Sequence, residues 1–174
     1  RNNWTANTVY NMYDDKIDNF EYGNFYIVTD EFKVYKCISN NSGQLSFVKP
    51  TSTTTGAVFE TLDNYIWKYM YSLNKEDQTK FTSTTYIPVR TLTINDASTQ
   101  WLVQSSATPG AINSIIVTNP GSGYTANTVN VNIRGDGSYA NAFARVNTQT
   151  NTITQIVVDN PGLNYTHEIG RAHV

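Results

Sequence analysis

Apolar and polar positions alternate through much of this chain, and a period of two is the mark of a strand with one buried face. Residues 23–29 are rich in β-branched and aromatic side chains. After Asp30 and Glu31, residues 32–38 alternate again, so the two segments predict a half-buried hairpin. Residues 40–43 form a turn cluster, 45–48 predict a further short strand ended by Pro50, and 51–56 make a polar loop. Residues 63–73 carry the clearest pattern. With period two, Tyr65, Trp67, Tyr69, Tyr71 and Leu73 share one face, and Ile66, Lys68, Met70 and Ser72 the other. A helix would spread these rings around its circumference, so the segment reads as a strand. Asn74, with Asp77 three residues on, has the form of a helix cap and predicts a short helix to about Phe81. Pro88 ends an extended segment over 85–87.

The pattern changes near Ala97. Residues 112–125 recur as 153–166, an internal repeat at an offset of 41 residues. In each copy an apolar strand runs into Asn-Pro-Gly: Asn119, Pro120 and Gly121, then Asn160, Pro161 and Gly162. Pro presets φ and Gly accepts a positive φ, so both triplets predict turns. The tyrosines that follow, Tyr124 and Tyr165, are expected to fold back as small plugs. Between the copies, 128–133 and 139–146 alternate around Gly135-Asp136-Gly137 and predict a hairpin. The second copy stops before its closing strands.

Composition supports a β protein. Of 174 residues, 21 are Asn and 24 Thr, while only 15% are charged and the net charge is −2; Thr favours strands and Asn favours turns. A mildly acidic chain without a basic stripe has no footprint for a phosphate backbone, which argues against nucleic acid. Lys33, Lys36 and Arg90 are scattered among aromatics and read as a solvated strand face. No stretch is apolar for long enough to span a membrane. Opening at Arg1 and ending at Val174 soon after the second Asn-Pro-Gly, the chain reads as a fragment.

Candidate chemistry is sparse. Cys37 stands alone, and with His167 and His173 as the only histidines there are too few ligands for a Cys/His zinc site. The histidines lack a nucleophile motif beside them. The acidic pairs Asp14-Asp15, Asp30-Glu31 and Glu76-Asp77 place neighbours on opposite strand faces, so none is a facing carboxylate pair of the kind a glycosidase needs. Gly121-Ser122-Gly123 opens no helix and so lacks the context of a phosphate loop. Asp136 and Asp159 are candidate calcium ligands without a dense oxygen-ligand loop, and Arg134-Gly135-Asp136 is accounted for by its turn. No cofactor is expected. The aromatic ladder over 65–73 is either a stacking platform for sugars or bases, or core under a neighbouring layer, and the latter is the expectation.

Four segments, in order, resemble a known family. Trp4 follows Arg1-Asn2-Asn3; residues 32–37 contain Tyr35 and Cys37 in an aliphatic-Tyr-basic-Cys run; residues 63–69 contain Tyr65, Trp67 and Tyr69; and Tyr86-Ile87-Pro88-Val89 forms an extended stretch. Over residues 1–93 this order is similar to that of the dimeric baseplate wedge protein of T-even-type contractile-tailed bacteriophages. Lys68 stands where relatives carry an acid, Asn64 where they carry Gly, and Pro88 is displaced. The later repeat looks like a hairpin unit of tail proteins in marine phages of this type. The resemblance implies a non-catalytic virion component of the tail baseplate, made in the host cytoplasm, that contacts other wedge subunits and pairs as a homodimer. A carbohydrate- or receptor-binding module of a tail fibre is the alternative, with Trp67, Tyr69 and Tyr71 or the repeat tyrosines stacking on sugars. A depolymerase would need two facing carboxylates in a cleft.

The expected fold is all-β: a sandwich-like core over residues 1–98, a smaller hairpin repeat domain over 99–174, and at most one or two short helices.

Overall fold

The computed structural model describes residues 1–14 and 23–166. The chain divides into two compact units, Arg1–Ala107 and Thr108–Val174. In chain order the first holds β1 (Tyr26–Val28), β2 (Lys33–Ser39), β3 (Val58–Glu60), β4 (Ile66–Ser72), α1 (Lys75–Lys80) and α2 (Thr99–Ser105); the second holds β5 (Thr128–Val131), β6 (Asn141–Asn147) and β7 (Thr152–Asn160). The fold is all-β with two short helices. The change of pattern near Ala97 precedes the division between the units, because Ser98 caps α2 and that helix belongs to the first.

In the first unit four antiparallel strands lie in the order β1-β2-β4-β3. The predicted hairpin is β1 with β2, turning at Phe32, whose φ is +57°. Across β2 and β4, Tyr35 stands opposite Tyr69 and Cys37 opposite Trp67. These four, with Ile27, Phe25 and Tyr65, form one buried cluster. Among the described residues no second sheet of a sandwich covers this cluster; the cover is irregular chain and α2. Tyr10 is 1% exposed and meets Trp67 edge-on at 5.7 Å, and Trp4, Tyr13 and Val103 pack around it. The N-terminal segment is too interrupted for a strand but is held by a bridge from Asn3 to Val28 and another from Thr8 to Ser46.

A β-bulge alters the predicted faces. Val34 pairs with Tyr71 while Tyr35 pairs with Tyr69, so the ladder skips Met70. Partners share a face and neighbours in β2 do not. Tyr71 therefore leaves the ladder face and joins Val34 on the other. The expected strand over 45–48 reduces to the single Ser46 bridge, because the N–H groups of Phe47 and Val48 are drawn to the carboxylate of Asp63. The predicted helix is α1, where Asn74 caps the N–H of Asp77 at 2.9 Å.

In the second unit β6 lies between β5 and β7. The hairpin is as predicted, and Val131, Ala142, Ala144 and Ile153 form its buried centre. The repeat copies differ. The second contains β7, whereas residues 112–117 of the first form no regular strand. β7 has β6 beside it; 41 residues earlier in the chain the corresponding segment is α2, so the first copy has no matching strand ahead of it. Residues 112–117 lie instead over the cluster, with Ile115 and Val117 packed on it.

The copies clasp each other at their ends. Ile112 donates to the Pro161 carbonyl at 2.8 Å, and Ile153 donates to the Pro120 carbonyl at 3.0 Å. Tyr165 donates to Gly110 at 3.1 Å, and Tyr124 to Asn151 at 3.2 Å. Each bond maps onto its counterpart under the repeat offset, as a local two-fold requires. Equivalent backbone follows: Gly110 and Asn151, Gly121 and Gly162, and Gly123 and Asn164 all have positive φ.

Two glycines in these turns separate conformational strain from collision. A Cβ on Gly162 would lie 2.6 Å from the Ser138 carbonyl oxygen, while one on Gly123 meets nothing within 4 Å, and both residues have positive φ. Gly123→Ala is expected to destabilise by about 1 kcal/mol and Gly162→Ala by about 3 kcal/mol or more, measured by urea unfolding.

Candidate functional site

The residues singled out in the first unit converge on the ladder. Tyr35, Cys37, Tyr65 and Trp67 are 0% exposed and Tyr69 is 1% exposed. Alternation along β4 and the facing alternation of β2 bring them together. Tyr65 stacks on Trp67 at 5.5 Å with ring planes 19° apart, and Tyr35 meets Tyr69 edge-on at 5.8 Å. Burial of one such aromatic side chain contributes roughly 2–3 kcal/mol. Trp4 is half-buried at the rim, its indole N–H directed to Ser46 Oγ at 3.4 Å. Pro88 lies apart from the ladder; its carbonyl accepts the Tyr71 hydroxyl at 3.1 Å.

Polar atoms in this core divide into two kinds. Tyr65 Oη donates to the Gln44 carbonyl at 2.5 Å and accepts the Tyr10 N–H at 3.3 Å, tying the N-terminal segment to β4. Tyr35 Oη and Trp67 Nε1 are buried with no partner. An unmet buried donor costs about 1–3 kcal/mol, so ring packing, not hydrogen bonding, holds these two side chains. Burial raises the Tyr35 hydroxyl pKa well above its ordinary value, and the neighbouring Tyr69 and Glu31 add to the shift. Burial does the same to the Cys37 thiol, helped by the charge of Asp63. Both groups are therefore neutral at physiological pH.

Asp63 organises the loops at the head of β4. Its Oδ2 accepts Ser46 Oγ at 3.1 Å, Phe47 N–H at 2.8 Å and Val48 N–H at 2.9 Å, while Oδ1 accepts Thr61 Oγ1 at 2.5 Å. Burial alone pushes its pKa up, but the bonds from Thr61, Val48, Phe47 and Ser46 together outweigh it and hold the carboxyl below its usual range. Asn64 beside it has φ +59°, a conformation that the short amide side chain tolerates. A short Thr-x-Asp-Asn turn was the available signal for this hub.

Several of the remaining charges are engaged in ion pairs. Lys49 holds both Asp30, at 2.8 Å, and Glu31, at 2.5 Å; Lys80 holds Glu76 at 2.7 Å; Arg90 pairs with the buried Asp77. Lys36 is not on a solvated face as expected: it is 7% exposed and its Nζ lies 4.0 Å from the centre of the Tyr13 ring, a cation–π contact that offsets its burial. Lys68, directly across from Lys36, is half-buried, and desolvation lowers its pKa. A cleft of about 130 Å³ lies over Asp77, Arg90, Ser98, Thr99 and Tyr71, and another of about 200 Å³ over Arg1, Phe25, Tyr26 and Ile87. Among the described residues no group of three or more His, Cys, Asp or Glu side chains could hold a metal ion, and no helix is long and apolar enough to cross a membrane.

In the second unit the predicted turn residues act as pairs. Asn119 Oδ1 accepts Gly121 N–H at 2.9 Å and Asn160 Oδ1 accepts Gly162 N–H at 3.0 Å. The Tyr124 ring lies against Gly121 and the Tyr165 ring against Gly162, as folded-back plugs. Asp136, in the Arg134-Gly135-Asp136 turn, accepts the Thr166 N–H at 3.0 Å and also its hydroxyl. Asp159 accepts Asn141 Nδ2 at 3.5 Å. His167, His173 and Asp15 lie outside the described residues.

No protein-family model, curated protein or solved structure matches the chain.

Asp63→Ala is expected to destabilise the first unit by about 3 kcal/mol, since it leaves the buried Ser46 hydroxyl and the part-buried N–H groups of Phe47 and Val48 unmet. Because the folded pKa lies below the unfolded value, this contribution is present above the ordinary carboxylate pKa and is lost as pH falls through the depressed one. Acid titration of native and Asp63→Asn chains, followed by near-ultraviolet dichroism, should show that sensitivity diminished in the variant. Cys37 should react with a water-soluble disulfide reagent only at the rate at which the unit unfolds.

Proposed function

We propose that the chain is a non-catalytic structural subunit of a bacteriophage tail baseplate, of the wedge type, that pairs with a second copy of itself and contacts other wedge subunits. The observation that carries this reading is the convergence of residues on which the resemblance rests: Tyr35, Cys37, Trp67 and Tyr69 in one registered pair of strands, with Tyr65 beside them in one core. Residues drawn from two motifs far apart in sequence serve one packing purpose, which supports reading those motifs as parts of a scaffold. The surroundings agree with that role. Asp30, Glu31, Glu76 and Asp77 are taken up by ion pairs, and uncharged amides and hydroxyls supply much of the polar surface, so interfaces built on it would depend little on salt. In this reading the protein acts mechanically within the virion, after synthesis in the host cytoplasm.

The carbohydrate-binding alternative draws on Trp67, Tyr69 and Tyr71, or on the repeat tyrosines, as a stacking surface; Trp67 and Tyr69 are buried, the bulge turns Tyr71 to the other face, and Tyr124 and Tyr165 are half-buried against their turns.

Co-expression with the other wedge subunits of a contractile-tailed phage should yield a complex that stays together through size exclusion, while a panel of host polysaccharides should show no binding. Failure to join any wedge subunit, together with saturable polysaccharide binding, would replace this reading by the alternative. In a chain whose other tryptophans, Trp4 and Trp101, are changed to Phe, acrylamide should barely quench Trp67 fluorescence until denaturant is added.

A further inference from the structure

Residues 86–92 contain no helix, turn or assigned strand, and none has a positive φ. Their main-chain hydrogen bonds alternate. Tyr86 donates to Ser83 Oγ at 2.9 Å and accepts the Ser83 N–H at 3.0 Å. The Pro88 carbonyl accepts Tyr71 Oη at 3.1 Å, and the Arg90 carbonyl accepts Gln100 Nε2 at 2.5 Å. Leu92 bonds through both groups to the Gln104 amide, at 3.0 and 2.6 Å. The N–H and C=O groups of Ile87, Val89 and Thr91 have no partner among the described residues.

In an extended chain, successive residues direct these groups to opposite sides. One edge of this segment is thus largely taken up by the unit's own side chains, with Gln100 and Gln104 standing in for a neighbouring strand, although the Arg90 N–H on that side has no partner among the described residues. The other edge is open. Pro88, which has no N–H, falls on the closed side and leaves the open edge uninterrupted. The usual protections of an open edge are missing: Ile87, Val89 and Thr91 are uncharged and β-branched, the Arg90 guanidinium is held by Asp77, and Val89 and Tyr86 are each 74% exposed.

We propose that this edge pairs antiparallel with the same edge of a second copy about a two-fold axis, with Val89 opposite Val89 and Ile87 opposite Thr91. The inference rests on the self-pairing in the function proposed above and names its surface. Self-complementarity selects the occupant. The register centred on Val89 keeps every pair within residues 86–92, ahead of the bend at 93–94. It covers the exposed valine with its own copy and sets Tyr86 across from Leu92. Arg90 falls across from Pro88, so no like charges meet. Each facing pair of open residues exchanges both of its N–H···O bonds, as an isologous interface requires.

The test is light scattering on the native chain, on Val89→Lys, on Val89→Glu, and on an equal mixture of the two variants. Val89 is exposed, so the variants should retain the native dichroism spectrum. The expected result is a native dimer, self-association weakened at least about tenfold in each variant alone, and dimer restored in the mixture, where Lys faces Glu. Variants that pair as well as the native chain would overturn the edge while leaving self-pairing through another surface. Weakened variants that the mixture does not restore would overturn the two-fold register. A native chain that stays monomeric at every soluble concentration would overturn both the edge and the pairing.

Discussion

The antiparallel pairing of β2 with β4 is the constraint on which the first unit depends. It sets Tyr35 against Tyr69 and Cys37 against Trp67, so that alternate residues of two strands form a single aromatic face. That face is too large for a four-stranded sheet to bury by itself, and among the described residues no second sheet closes over it. The N-terminal segment takes that place, held by Tyr10 and by the bond from its N–H to Tyr65. Trp67 and Tyr35 show the order of priorities: each keeps a buried polar atom without a partner so that its ring can pack. Apolar contact outweighs hydrogen bonding at those two positions, while a few residues away Asp63 gathers the bonds that fix the loops.

The second unit solves a different problem. Its sheet has three strands and a modest core, and a single copy of the repeat would leave one side of that core open. Two copies close it by exchange. The Pro carbonyl of each Asn-Pro-Gly turn accepts the N–H that begins the other copy's apolar run, and each plug tyrosine donates its N–H to a residue of positive φ just ahead of that run. The turn therefore ends one segment and anchors the next.

Abundant Asn has a common physical explanation across both units. Asn7, Asn41, Asn64, Asn151 and Asn164 have positive φ, a conformation that the short amide side chain tolerates better than most residues do. Elsewhere the amides replace main-chain partners: Asn24 exchanges bonds with Asn11 and reaches the Val9 carbonyl, and Asn40 holds the Tyr10 carbonyl at 2.9 Å. Long irregular connections are thereby satisfied without charge, which is how so small a charged fraction coexists with so much loop.

Local chemistry was enough to determine the first hairpin, the aromatic strand, the Asn74 cap, the hairpin between the repeats and both Asn-Pro-Gly turns, since periodicity, a capping side chain and a Pro-Gly pair each act within a few residues. The order of four motifs also pointed to a family reading, which remains a proposal. Other features depended on distant partners. The bulge that turns Tyr71 away arises from how β2 meets β4, and the burial of Lys36 depends on the ring of Tyr13. The loss of a strand over 45–48 follows from the pull of Asp63, and the irregular path of 112–117 from the absence of a strand to pair with it. In each case a side chain or strand far along the chain competes with the local preference, and only the tertiary structure decides which prevails.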